Sequence, residues 1–301
     1  MKKSLAAVCF MTALILLSAS GCGSSGSKSN EKTTAAKKPA VTDKAEKDSA
    51  EGTQTDTVPE EDPDDDGNTT VLGAGLENTR QLFSGDYTYK VVTTFSDTPD
   101  EETSAVMKKQ GDKVYITYTD KGSKKPDRAY YYDGTAAYDI DFGLKIYSTR
   151  EVWNDYNLIL SLINSDPENT EAHPSDDEDG FTTEQYTYPG DTYMTVFDFR
   201  FDKDNTLVDY TVTYTVEGQD DIVQSCKVNS LKEKAEISGD PLEGLNDFGS
   251  MTEDQRLGFC QGICGERGIS TDNMYEMNIT TDDLKRIDYE TFTTLVYTYG
   301  K

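Results

Sequence analysis

The segment Thr206-Leu207-Val208-Asp209-Tyr210-Thr211-Val212-Thr213-Tyr214-Thr215-Val216-Glu217 decides the fold. Val208, Tyr210, Val212, Tyr214 and Val216 fall on one side of an extended chain, and Asp209, Thr211, Thr213 and Thr215 fall on the other. Strict alternation of this kind marks a strand with one dry face and one wet face. The β-branched and aromatic residues that fill it suit a pleated surface. Just upstream, Asp202-Lys203-Asp204-Asn205 is turn chemistry, and its carboxylates need no metal to explain them. Before that turn, Thr192 to Phe201 puts Tyr193, Phe197, Phe199 and Phe201 on one face. Downstream, Gly218-Gln219-Asp220 turns the chain into a strand from Ile222 to Leu231. Phe181 to Tyr188, closed by Pro189-Gly190, completes a meander.

A second meander precedes it. Asp86 to Phe95 carries Tyr87, Tyr89, Val91 and Phe95 on one face. Ser104 to Lys109 and Lys113 to Thr119 flank Gln110-Gly111-Asp112, and Arg128 to Asp133 and Thr135 to Phe142 flank Asp133-Gly134; both junctions are hairpin signals. Leu144 to Tyr147 extends the series. Leu72, Leu76, Thr79 and Phe83 share one side of a helix before the first strand, with Thr69 or Thr70 as its cap. Between the meanders, Ser148-Thr149-Arg150-Glu151 has the capping-box pattern. Val152, Tyr156, Ile159, Leu160 and Ile163 then recur at helical spacing up to Asp166-Pro167. Glu168 to Gly180, which holds the only histidine, His173, reads as a polar loop.

The last segment changes character. Thr252-Glu253-Asp254-Gln255 is another capping box, opening a helix that carries Leu257, Phe259, Cys260 and Cys264. Ile269-Ser270-Thr271-Asp272-Asn273-Met274 and Ile279-Thr280-Thr281-Asp282-Asp283-Leu284 look like a duplicated start signal, each with a capping hydroxyl and acids before an apolar residue. The second predicts a helix running through Ile287, Phe292, Leu295, Val296 and Tyr299. The fold class is α+β: an antiparallel sheet with one helix before it and one inserted midway, followed by a small helical module over residues 246–301.

The amino terminus says where such a chain works. Lys2 and Lys3 precede an apolar run from Leu5 to Leu17, broken only by Thr12, and Ser18-Ala19-Ser20-Gly21-Cys22 closes it. That is the layout of a cleaved export signal, too short to span a bilayer comfortably. It resembles the lipobox, in which cleavage occurs before a cysteine whose thiol carries a diacylglycerol, which makes residues 1–22 a lipoprotein signal with lipidated Cys22. An ordinary secretory signal is the alternative. Residues 23–68 are Ser, Thr, Ala, Lys, Glu and Asp with almost no large apolar side chain, a composition that cannot offset the entropy of ordering and reads as a tether. The acidic run Glu60 to Asp66 lacks the alternating ligands, glycine turn and distant Glu of a calcium loop.

The formal net charge is -27 over 301 residues. That balance excludes nucleic acid as a partner, since phosphates need basic stripes. It also excludes electrostatic docking of the folded part onto anionic lipid, so membrane attachment falls to the acyl chains on Cys22. Five cysteines are present. Cys9 leaves with the signal, and Cys22 carries lipid. Outside the cytoplasm the remaining three imply one disulfide, between Cys260 and Cys264 or from one of them to Cys226. Helical spacing puts Cys260 and Cys264 near the upper limit of bridge geometry.

The order of helix, meander, inserted helix and second meander resembles the half-barrel of the LolA and LolB lipoprotein carriers and their LppX-like relatives. The resemblance spans Val71 to Leu242, within a half-barrel-like domain over residues 69–242. It is carried by Lys113-Val114-Tyr115 leading to Tyr130-Tyr131-Tyr132-Asp133-Gly134, and by the hairpin from Phe199 to Val208. It implies a curved sheet whose inner face, partly lidded by helices, holds acyl chains. The candidate groove residues are Tyr156, Ile159, Leu160 and Ile163 on the inserted helix, with Val208, Tyr210, Val212 and Tyr214 on the sheet. Nineteen tyrosines, many in strands, suit a pocket rim, although tyrosine is also an ordinary strand former. The anchor, the tether and the 246–301 module depart from the soluble carriers. No nucleophile-base pair, zinc motif or phosphate loop is present, so no catalytic residue, metal or cofactor is expected. The expected function is a non-enzymatic lipoprotein of the extracytoplasmic membrane face that binds a lipid or other apolar ligand. An envelope protein partner, met through the helical module or the acidic surface, is the alternative.

Overall fold

The computed structural model describes residues 72–154, 156–164, 168–169, 180–189, 193–216 and 218–301. Cys22, the tether, Thr69, Thr70 and His173 lie outside them. Among the described residues the chain forms helix α1 (Ala74–Ser84), strands β1 (Tyr87–Phe95), β2 (Glu102–Gln110), β3 (Lys113–Asp120), β4 (Arg128–Tyr132), β5 (Ala137–Asp141) and β6 (Ile146–Arg150), then helix α2 (Leu158–Asn164). Strands β7 (Glu168–Asn169), β8 (Thr182–Pro189), β9 (Tyr193–Phe201), β10 (Leu207–Val216) and β11 (Ile222–Lys232) follow. Strand β12 (Asn246–Asp247), helices α3 (Glu253–Glu266) and α4 (Thr271–Glu276), a short 3₁₀ turn (Asp283–Lys285) and helix α5 (Tyr289–Tyr299) complete the chain.

The strands make one unclosed sheet in the order β12-β6-β5-β4-β3-β2-β1-β11-β10-β9-β8-β7. The two meanders join where β1 pairs antiparallel with β11, Thr93 opposite Cys226. One face, here the inner face, carries α1 and α2. Tyr87, Tyr89, Met107, Ile116, Tyr130, Phe197, Phe199, Tyr210 and Val212 form a single buried cluster there with Leu76, Phe83, Ile159 and Leu162 from the two helices. Facing rings reinforce it: Phe199 stacks between Phe197 and Phe201 with centroids 5.9 and 6.1 Å away. The opposite face of β3–β6 has its own cluster of Ala129, Tyr131 and Ile140, covered by Ile237, Leu242 and Leu245 from the chain that follows β11. Strands β4 and β5 therefore carry buried apolar residues on both faces.

Helix α1 starts at Gly73, which offers no side-chain cap. The cap comes from across the sheet. Glu184 of β8 is 2 % exposed and accepts from the backbone N–H of Gly75 (2.7 Å) and Leu76 (3.0 Å) and from the Tyr186 hydroxyl (2.8 Å). A carboxylate here answers both the orphan donors and the positive end of the helix dipole. The approach is tight enough that a Cβ on Gly75 would run into the Phe201 ring, and one on Gly73 into the Glu184 carboxyl.

Three expectations are corrected. First, Ser148 to Arg150 opens no helix. It is the end of β6, paired with Ala137 to Asp139 of β5. Helix α2 begins at Leu158, where the Asn157 Oδ1 accepts from the N–H of Ile159 (3.1 Å) and Leu160 (3.4 Å). A local cap pattern loses to a full ladder of sheet hydrogen bonds, and Val152 is left 42 % exposed. Second, the alternation of β10 is interrupted: Leu207 faces Phe201 and Asp209 faces Arg200, so Val208 is the extra residue of a β-bulge. Leu207 takes the buried position and Val208 is only partly covered. Third, the second C-terminal start signal ends in a 3₁₀ turn, and a separate helix, α5, starts at Tyr289 under its own cap, Asp288, whose Oδ1 accepts from the Thr291 N–H at 2.8 Å.

Residues 246–301 are built onto the sheet. β12 adds to β6 in parallel register, Asn246 beside Ile146. Leu144 and Ile146 of the sheet belong to the same buried cluster as Phe248, Cys260, Cys264, Phe292, Leu295 and Val296. The Asp141 carboxylate fastens the seam, accepting from the Tyr297 hydroxyl (2.7 Å) and the Leu144 N–H (2.7 Å).

Candidate ligand-binding cleft

Two tight turns set one end of the inner face. Gly111 and Gly134 adopt positive φ (55° and 98°), which a glycine accepts without strain. The two hairpins they close lie side by side, with Val114 of β3 opposite Tyr132 of β4 and Ile116 opposite Tyr130. The loop between β6 and α2 then folds back over them. The Trp153 N–H donates to the Tyr130 hydroxyl at 3.1 Å, and the two rings meet edge to face at 5.8 Å. The Arg150 guanidinium lies 5.6 Å from the Tyr130 ring and 5.9 Å from the Trp153 ring, a cation over two aromatic faces. Asp139 holds it through a 3.0 Å hydrogen bond. Burial raises the Asp139 carboxyl above its ordinary range, while Arg150 pulls it down.

Between this loop and the hairpins lies a cleft of about 370 Å³. Its walls are Val114, Tyr130, Tyr132, Trp153 and Tyr156, and its rim carries Lys109, Asp112 and Asn154. The wall residues also pack into the inner-face cluster, so the cleft is a mouth on that core. The Trp153 Nε1–H is buried without an acceptor among the described residues, an arrangement that costs about 1–3 kcal/mol.

Seven of the eight candidate groove residues lie in or against that core. Ile159, Tyr210 and Val212 are buried within it, and Tyr156, Leu160, Ile163 and Tyr214 pack against it. Val208 sits at the bulge and is not part of the cluster. A strip of polar atoms crosses the apolar interior: Tyr89 donates to the Tyr210 hydroxyl (3.4 Å), Tyr214 to the Gln224 Oε1 (3.0 Å), and the Gln224 Nε2 to the Cys226 sulfur (3.4 Å). Burial raises the Tyr87, Tyr89 and Tyr210 hydroxyls and the Cys226 thiol, which keeps them neutral at ordinary pH. Nothing in the strip is an activated nucleophile.

The structure has Cys226, Cys260 and Cys264 as free, buried thiols. Cys226 lies in the inner-face core, whereas Cys260 and Cys264 lie in the C-terminal core, so a bridge to Cys226 would have to join two separate clusters. Burial, and then the neighbouring Cys264, push the Cys260 thiol up to about 12. Among the described residues no cluster of His, Cys, Asp and Glu could hold a metal ion.

Sequence reasoning missed Trp153, Tyr130 and Tyr132 as site residues. The helix expected over Val152 to Ile163 hid the loop. The available signal was the only tryptophan in the chain, set beside the polar Asn154.

No family model and no curated protein matches the sequence. Solved structures do resemble it. An uncharacterized conserved protein from Thermus thermophilus is similar at 8 % identity and TM-score 0.38, covering 57 % of this chain and 95 % of that one. A LolA superfamily protein from Nitrosomonas europaea is similar at 9 % identity and TM-score 0.30, covering 55 % and 93 %. The lipoprotein LppX from Mycobacterium tuberculosis is similar at 14 % identity and TM-score 0.33, covering 55 % and 98 %.

Proposed function

We propose that this protein is a non-enzymatic lipoprotein, tethered to the extracytoplasmic face of a membrane by acyl chains on Cys22, that binds a lipid or other apolar ligand on the inner face of its sheet. The observation that carries the reading is the mouth at Trp153. It is an aromatic-walled opening onto a continuous apolar core that is covered by α1 and by α2, a seven-residue helix. Leu158, Leu160 and Ile163 of that helix are only partly buried against the core, so an acyl chain could replace their contacts with contacts of the same kind. The ligand makes no bond to the protein, in keeping with the neutral hydroxyls and thiol of the interior.

Trp153, as the sole tryptophan, provides the test. Addition of a fluorescent fatty acid to the purified full chain is expected to quench Trp153 saturably, and solvent extraction followed by mass spectrometry is expected to recover bound lipid. Reproducibly empty protein that takes up no fatty acid would end the proposal. Anchoring is tested separately: Cys22→Ala should abolish metabolic labelling with palmitate and release the protein from the membrane fraction.

A further inference from the structure

We infer that the cleft at Trp153 receives a neutral sugar ring. The inference rests on the reading above only where the sugar is the head group of a lipid. The walls and the rim of the cleft do different work. Tyr132, Trp153 and Tyr156 line it with partly exposed rings, and aromatic faces carry negative potential that attracts the polarised C–H groups of a pyranose. Lys109, Asp112 and Asn154 line the same opening, and their side chains include donors and acceptors of both kinds. An acyl chain would use the walls alone, whereas a sugar uses both walls and rim. The rim holds one cation and one anion among these three residues, and the chain as a whole carries -27. That field disfavours phosphate and anionic glycans. A cleft of about 370 Å³ lies at the small end of the roughly 300–1,000 Å³ typical of ligand pockets, with room for a sugar ring or a short glycan.

The experiment is a Trp153 fluorescence titration of the full chain in two arms. The first uses methyl hexopyranosides and maltotriose. The second uses phosphatidylcholine vesicles with or without a monoglucosyl diacylglycerol. Asn154 and Asp112 are both exposed, so Asn154→Ala and Asp112→Asn leave the fold intact. Each is expected to weaken binding by roughly tenfold through the loss of one hydrogen bond. A saturable response to free sugar, reduced in both variants, supports the inference with free glycan as the source. A response only to vesicles containing the glycolipid, again reduced in both variants, supports it with a head group as the source. An equal response to plain vesicles, unchanged in the variants, overturns it and leaves the apolar-ligand reading standing. Silence in both arms also overturns it. Sugar binding by protein that takes up no fatty acid would instead sink the apolar-ligand reading and keep this one.

Discussion

In the sheet, buried partners come from distant parts of the chain: Tyr210 reaches Tyr89 and Phe199, and Glu184 reaches back to Gly75 and Leu76. In the C-terminal module the corresponding relations are local. Ile269 and Met274, Ile279 and Leu284, and Ile287 and Phe292 each flank a capped turn in the positions of a hydrophobic staple, with Ser270, Thr280 and Asp288 as the capping residues. All six apolar residues are buried. One region is thus specified by long-range pairing of alternating faces, the other by short signals repeated three times. The difference teaches that local specification does not make a region independent. The module completes its core only with Leu144 and Ile146 of the sheet, and the sheet finishes its β6 edge only with β12 of the module, which covers an otherwise exposed edge.

The sharpest way to break this comparison is Phe248→Ala. Phe248 stacks on Phe292 at 5.5 Å, carries the Arg256 guanidinium 5.2 Å above its ring, and is 1 % exposed. Its removal is expected to cost about 3–5 kcal/mol. If sheet and module unfold as one unit, Trp153 fluorescence, which reports the sheet, shifts together with the helical circular dichroism in a urea titration; two separated midpoints would make them independent. Next in size is Glu184→Ala, which strands the Gly75 and Leu76 N–H groups and the Tyr186 hydroxyl. A loss of about 3 kcal/mol is expected from the unmet buried donors, with Glu184→Gln losing less because one acceptor oxygen remains. Ser270→Ala should cost about 1 kcal/mol, the ordinary value of a helix cap. If the same denaturation experiment showed several times that, the local code would be weightier than its hydrogen bonds suggest.

The smallest effect concerns pH and the seam. Burial raises the Asp141 carboxyl above its ordinary range, against the opposing hydrogen bonds from Tyr297 and the Leu144 N–H. A carboxyl raised in the folded state contributes stability that is complete below its unfolded pKa and is lost as pH rises through the folded pKa. Wild-type stability should therefore fall across the window just above the usual aspartate range, and Asp141→Asn should flatten that slope in melts recorded at successive pH values. Asp139, raised by burial in the same direction, leaves a residual slope.

Much of the sheet was legible because alternation is a property of neighbours. The faces of β1, β9 and most of β10 follow directly from residues two apart. The misreadings share a cause. Ser148 to Glu151 satisfies a helix-capping rule, and nothing nearby shows that β5 will offer those residues a ladder. Val208 continues a perfect alternation, and only its pairing with β9 reveals the bulge. Asp283 follows a sound cap, yet Asp288 five residues later starts a new helix and limits the earlier one to a 3₁₀ turn. Of the candidate groove residues only Tyr156 lines the cleft, while Ile159, Tyr210 and Val212 lie in the packed core behind it. Trp153, Tyr130 and Tyr132 were not named, because a cleft is formed by elements that meet only after folding.

By itself the sequence determined the periods of most of its elements, the turns between them and the caps at Thr252 and Ser270, since each depends on residues within a turn or two of one another. Only the tertiary structure decided which carboxylate caps α1, where β10 bulges, how residues 246–301 seat against β6 and that Trp153 closes over Tyr130. Each of these is a contact between residues far apart in the chain, and its energy exists only when both partners have been brought together and their water removed.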